Sequence, residues 1–340
     1  MTIVGNVLPT FANDLINIFK YETIAGYALL LLLAFGLNIW WLFTGDVQGL
    51  VLGEGTPIFE AIQGLWQQFN PIVQYIVFSL LISLQAVVIN NIGNRYELVG
   101  RRSLLVGFFY LLLLVWCFAD PILSPIFVAL FPTILAIDKI YASLLADRPV
   151  DVFDIGFLMA SAALIYPPIV FLFLFVLFLF VRTRPFQWRF WILLIMGTAL
   201  PVFFLWLYWW LFSQTPSTDF FNQFLPMLVL PDINLFKDPR WIFKMATLLI
   251  FGIGIGLWSQ KIAEMELRQK RLLRWLIGLF FMAVVLLLGV AGHTTQSWIF
   301  IWVLPLSLLI GIVSFYTSKK NILTLVSIVF IGLILMFQYL

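Results

Sequence analysis

Along this chain, long apolar runs alternate with short polar breaks, and the breaks carry nearly all of the charge. Uncharged runs such as 24–43 and 190–212 reach the roughly 20 residues that a helix needs to cross a bilayer. Taking the runs between charged or Pro/Gly-rich breaks predicts segments at 24–43, 71–92, 104–118, 122–137, 154–166, 169–181, 190–212, 241–258, 275–291, 297–315 and 322–339. The expected fold is therefore all-α, a polytopic transmembrane helix bundle of about eleven hydrophobic segments. The first run lies too deep in the chain for a signal peptide and has no small-residue cleavage site, so it reads as a retained helix.

Four consecutive segments are short and form two pairs, turning at Asp120-Pro121 and at Tyr166-Pro167-Pro168. About 15 helical residues cover only about 22 Å of a hydrocarbon core of about 30 Å, so each pair reads as a hairpin that turns part-way through the bilayer. Tilted neighbours or a thinned bilayer are the competing explanation. Hairpins of this kind border cavities, because non-helical backbone at membrane depth must face protein or water.

Three further stretches have helical spacing without spanning length. In the interfacial amphipathic segment 1–20, Leu8, Phe11, Leu15 and Phe19 recur on one face. In the first outer loop, 44–70, Pro57 opens a helix with Ile58, Ile62, Leu65, Trp66 and Phe69 on one side and Glu60, Gln63 and Gln67 on the other, suited to lie flat on the outer face. Around 259–274, Glu264 precedes Arg268 and Glu266 precedes Lys270 by four residues, pairs that let a neighbouring span continue into water. A long outer loop covers 213–240. With no internal repeat and no gap wide enough for a soluble domain, residues 1–340 read as a single integral membrane domain.

Composition agrees with the pattern: 63% of the 340 residues are hydrophobic and 10% charged, too little polar surface to clothe a soluble globule. Membrane lipids are thus the first expected partner. The net charge of +3 follows helix ends instead of forming a stripe, which argues against nucleic acid. If the N-terminus is cytoplasmic, all of the nineteen basic residues except Lys237, Arg240 and Lys244 fall on inner connections. That asymmetry predicts an N-terminus inside and a C-terminus outside. The single cysteine, Cys117, has no partner for an intrachain disulfide, and the sole histidine, His293, leaves no metal or cofactor scheme to expect.

Candidate chemistry lies mainly in the outer loops. Asp46 and Glu54 sit among Gly45, Gly49, Gly53 and Gly55, where backbone can approach a ligand and a carboxylate can act as general base; the plainer reading is a solvated loop. Lys237, Arg240 and Lys244 follow the apolar Phe220, Phe221, Phe224 and Leu225, and such cations hold a lipid phosphate or anchor a helix to headgroups. His293, in the turn Gly292-His293-Thr294, is either a phosphate contact or an ordinary interface residue. Asp120, Asp138, Asp151 and Asp154 fall within or beside spans, where a carboxylate is costly. Local pairing answers that cost: Asp138 with Lys139, Asp151 with Arg148, and Asp154 as the cap of the following helix.

Two stretches resemble known families. Asn90-Asn91-Ile92-Gly93-Asn94-Arg95-Tyr96-Glu97-Leu98 through Ser103, followed by Ile137-Asp138-Lys139-Ile140-Tyr141-Ala142-Ser143, resembles an uncharacterised multi-pass inner-membrane family of Bacteroidota. Phe153-Asp154-Ile155-Gly156-Phe157 through Tyr166-Pro167-Pro168, then an apolar helix, the basic turn 182–189 and another span, is similar to the middle of GT-C membrane glycosyltransferases. That second resemblance implies a polyprenyl-phosphate sugar donor, with Asp46 or Glu54 as catalytic base beside a flat surface helix. This chain departs from the GT-C pattern in lacking the paired acidic signature of the first outer loop.

Three functions follow as expectations. The chain is a noncatalytic subunit or scaffold of a cell-envelope assembly with membrane-protein partners. Alternatively, it is a GT-C-like glycosyltransferase with Lys237, Arg240, Lys244 and His293 on the phosphate, or a lipid or solute transporter that uses the hairpins as a midplane site.

Overall fold

A computed structural model of the chain describes residues 18–39, 56–99, 102–117, 125–146, 148–183, 188–212, 267–290 and 295–316. Among them the protein is all-helical. Ten helices run in order: α1 (Ile24–Asn38), α2 (Pro57–Trp66), α3 (Pro71–Arg95), α4 (Leu105–Cys117), α5 (Pro125–Leu145), α6 (Pro149–Ile165), α7 (Ile169–Thr183), α8 (Trp188–Phe212), α9 (Leu267–Val290) and α10 (Thr295–Tyr316).

Local signals start these helices where the chain predicts. Thr56 caps α2 by accepting from the Phe59 N–H, with Pro57 in the first turn. Asn70 does the same for α3 ahead of Pro71, accepting from the Ile72 N–H, and Thr23 caps α1 through the Gly26 N–H. Helix α9 carries Lys270, Arg271 and Arg274 on its first turns and continues unbroken to Val290, so the described part of the basic stretch is continuous with a hydrophobic helix, while Glu264 and Glu266 lie outside the described residues.

Three described helices are long and apolar enough to cross a membrane: Pro71–Arg95, Pro125–Leu145 and Trp188–Leu211. At 25 residues, α3 is about 37 Å long and exceeds a hydrocarbon core of about 30 Å. Helix α5 differs from the sequence expectation. Charges at Asp138 and Lys139 mark an end at 137 in the pattern, yet the helix runs on to Leu145 because both side chains find partners on neighbouring helices. Prolines at 132, 201 and 305 lie inside α5, α8 and α10, a placement that neighbouring helices in a bundle tolerate.

Helices α3, α4 and α5 form the centre, with α1 and α10 against α3 and α4, and α6 between α5 and α8. The core is aromatic and aliphatic: Tyr110, Tyr141, Phe108, Phe127, Ile82 and Ile89 are fully buried. Close approach depends on small residues. A Cβ at Gly156 of α6 would strike the Leu194 carbonyl and the Thr198 backbone of α8, and one at Gly197 would strike the Phe153 carbonyl. Gly107 lies against the Ala86 carbonyl in the same way, joining α4 to α3.

Contacts among the described residues define both ends of the bundle. At one, the starts of α1, α4, α6 and α9 meet the ends of α3, α5 and α10. The Leu104 N–H donates to the Phe19 carbonyl at 2.7 Å, the Lys20 ammonium lies 5.6 Å from the Phe315 ring centre, and Gln269 donates to the Glu97 carbonyl at 2.8 Å. Lys20, Arg95, Arg102, Arg148, Lys270, Arg271 and Arg274 all gather at this basic end. At the other end, the Thr56 hydroxyl donates to the Ile165 carbonyl at 3.1 Å, which sets α2 beside the turn Tyr166-Pro167-Pro168.

Candidate functional site

The polar side chains that the bundle brings together lie at the basic end and along α3. Helix α3 ends by turning back on itself: the Leu98 N–H donates to the Gly93 carbonyl at 3.0 Å, with Glu97 in the left-handed region at φ 53. Leu98 is buried as the apolar stop of that turn. The side chains before it fasten the next helix, because Asn94 accepts from the Ser103 N–H at 3.1 Å and Asn90 from the Gly107 N–H at 3.2 Å.

From the same turn, Arg95 reaches Asp138 of α5 at 3.1 Å, and the Tyr96 hydroxyl donates to the Asp138 carbonyl at 2.8 Å. Burial, and after it the negative charge of Asp138, pushes the Tyr96 hydroxyl well above the usual phenol range, so it remains a donor. Its ring stands edge-on to Tyr141, 5.4 Å away. Lys139, next to Asp138 in sequence, points to α6 instead and holds Asp154 at 2.6 Å and Asp151 at 3.4 Å.

These pairings replace the local ones expected from the sequence. Asp138 takes Arg95, and Asp151 takes Lys139. Asp154 lies inside α6, whose cap position is Arg148, where no side chain bonds to the helix start. Successive residues on a helix point about 100° apart, so Asp138 and Lys139 cannot share a partner and each turns to a different neighbouring helix.

Deeper along α3, the Gln85 side chain donates to the Phe127 carbonyl of α5 at 2.7 Å and accepts from the Tyr110 hydroxyl of α4 at 2.9 Å. This buried junction joins three helices. Its signal in the sequence is a glutamine within an uncharged run, a signal that does not name its partners. Several buried polar atoms here, the Asn90 and Asn94 amide nitrogens and the Ser103 and Tyr141 hydroxyls, have no protein partner. Sites of this kind commonly hold ordered water.

A second feature is an apolar cleft of about 680 Å³ between α7 and α8, walled by Phe173, Leu177, Trp191, Ile195, Val202 and Trp206 among others. The outer-loop candidates Asp46, Glu54, Lys237, Arg240, Lys244 and His293 all lie outside the described residues. Of the two hairpin turns, Asp120-Pro121 also lies outside them, while Tyr166-Pro167-Pro168 is a tight connection between α6 and α7. Among the described residues, no group of three or more His, Cys, Asp or Glu side chains could hold a metal ion.

The arrangement at the basic end is a set of cross-helix ties. A family model described as a family of unknown function, DUF6427, matches residues 57–340. No curated protein and no solved structure matches the chain.

Proposed function

Taking as premise that the chain belongs to the family of unknown function DUF6427, we propose that it is a multi-pass scaffold of the bacterial inner membrane, a noncatalytic subunit of a cell-envelope assembly. The observation that supports this reading is the filled interior around α3. Fully buried Tyr110, Tyr141, Phe108 and Phe127 occupy it, and Gln85, Arg95, Asp138 and Lys139 are engaged in joining helices to one another. Such an interior makes a rigid body whose outer faces remain for lipids and partner proteins. In this reading about eleven segments are embedded, and the basic end faces the cytoplasm with the N-terminus inside and the C-terminus outside.

The test is purification of the full chain from its own membrane in mild detergent after crosslinking. Other envelope membrane proteins in fixed stoichiometry are expected. A chain that comes out alone and transfers a sugar from a polyprenyl phosphate would overturn the proposal.

A second reading is a GT-C-like glycosyltransferase, favoured by the Thr56 tie to Ile165, which holds α2 beside the Tyr166-Pro167-Pro168 turn immediately after the glycine-rich acidic loop. Here Asp46 or Glu54 is the base, and Lys237, Arg240, Lys244 and His293 neutralise the phosphate. Alanine at the working carboxylate would abolish glycan transfer and leave the fold intact.

A further inference from the structure

We propose that the cleft between α7 and α8 is a binding site for one acyl chain of an anionic phospholipid of the phosphatidylglycerol class, with its phosphate at Arg189. This rests on α8 crossing the membrane, and goes beyond the scaffold reading by assigning a ligand. Helix α8 is among the three candidate spans, and its apolar side chains Ile195, Met196, Phe203 and Phe204 are exposed. The cleft is cut into that surface. Phe173 and Leu177 form one wall, and Trp191, Ile195, Val202 and Trp206 form the other. Its hydroxyl, on Thr198, is already donated to the Leu194 carbonyl at 2.8 Å, so it is not left over to select a polar ligand. From Trp191 to Trp206 the wall is about 22 Å long, against about 15 Å for one leaflet of the hydrocarbon core, so a whole acyl chain seats without leaving it.

The position of charge at one end narrows the ligand. The cleft-facing residues of α8 recur every three or four positions, and Trp188 continues that stripe one turn before Trp191. The Arg189 guanidinium lies 5.7 Å from the Trp188 ring centre, and this brings a cation to the end of the stripe although Arg189 itself starts from another face of the helix. An apolar slot ending at an exposed guanidinium complements a chain ending in a phosphate diester, and arginine can hold two of its oxygens at once. A headgroup with net negative charge keeps that attraction, whereas a zwitterionic one offsets it with its own cation.

The test uses the full chain in nanodiscs in which phosphatidylethanolamine is in excess over phosphatidylglycerol. Phosphatidylglycerol carrying a photoreactive group in its acyl chain should label peptides from α7 and the Trp191, Ile195 and Val202 stripe of α8. In native mass spectrometry, the wild-type chain should retain phosphatidylglycerol over phosphatidylethanolamine, and Arg189→Gln should cut that preference about fivefold. Ala199→Trp, which fills the cleft, should lose the retained lipid. The wild-type labelling stands even if that variant fails to fold.

Labelling spread evenly over the chain, an unchanged preference in Arg189→Gln, or retention of a polyprenyl phosphate or a partner helix in the cleft would each overturn the proposal. A chain that is soluble without detergent would overturn the membrane reading beneath it. A chain that needs detergent but holds no lipid overturns this assignment alone.

Discussion

Single glycines and single hydrogen bonds decide how closely these helices meet. Gly156 and Gly197 let α6 and α8 touch backbone to backbone, so Gly156→Leu should force the pair apart and cost about 1–3 kcal/mol or more, seen as a lower midpoint of thermal aggregation in detergent. Gly64 of α2 is the control, because a Cβ there meets nothing among the described residues. Gly64→Ala should be neutral or stabilise by about 0.5–1 kcal/mol through chain entropy alone. The buried Gln85 junction gives a sharper test. Gln85→Leu leaves the Tyr110 hydroxyl without its acceptor and should cost about 1–3 kcal/mol, while adding Tyr110→Phe removes the orphaned group and should recover much of that loss. A double variant no better than the single one would mean that the hydroxyl finds another partner.

At the scale of elements, the ties between α3, α5 and α6 differ in burial and so in consequence. Arg95 is mostly exposed, and Arg95→Met should change stability by no more than about 1 kcal/mol. Lys139 is more enclosed and holds two carboxylates, of which the Asp151 side chain is only 10% exposed. Lys139→Met leaves both acids facing each other without a cation and should be clearly the more damaging variant, by about 2 kcal/mol or more. Adding Asp154→Asn should restore part of it. Comparable melting midpoints for Arg95→Met and Lys139→Met would mean that the Lys139 tie is not what carries α5 past Asp138. The helix starts at Pro57 and Pro71 were legible in the chain, whereas α6 opens at Pro149 without a side-chain cap, five residues before the expected start at Asp154. Helix ends are harder to read. They were misread where charge stood for an end, because whether a charged residue leaves the membrane depends on partners that lie far away in sequence.

For the whole molecule, the gathering of basic residues at one end predicts sidedness that labelling can read. With Cys117 replaced by serine, a cysteine at Arg102 should react with an impermeant thiol reagent only after permeabilisation, whereas one at the exposed Gln68 should react in intact cells. The reverse result would invert the topology. Sequence alone carried the helical character of the described segments and the apolar runs of spanning length among them. Runs such as 71–92 and 190–212 bury their backbone polar groups only as helices, and 10% charge cannot clothe a soluble globule, whatever the tertiary arrangement. The partners were a different matter. Asn90, Asn94, Arg95 and Tyr96 were visible as a recognisable segment, but that they fasten α4 and α5 follows from the turn at Glu97 and from which helices lie beside it. Likewise, the slot between α7 and α8 exists in neither helix taken alone. Periodicity is a property of one helix, whereas pairing, enclosure and cavities are properties of the space between helices, and only the packed bundle decides them.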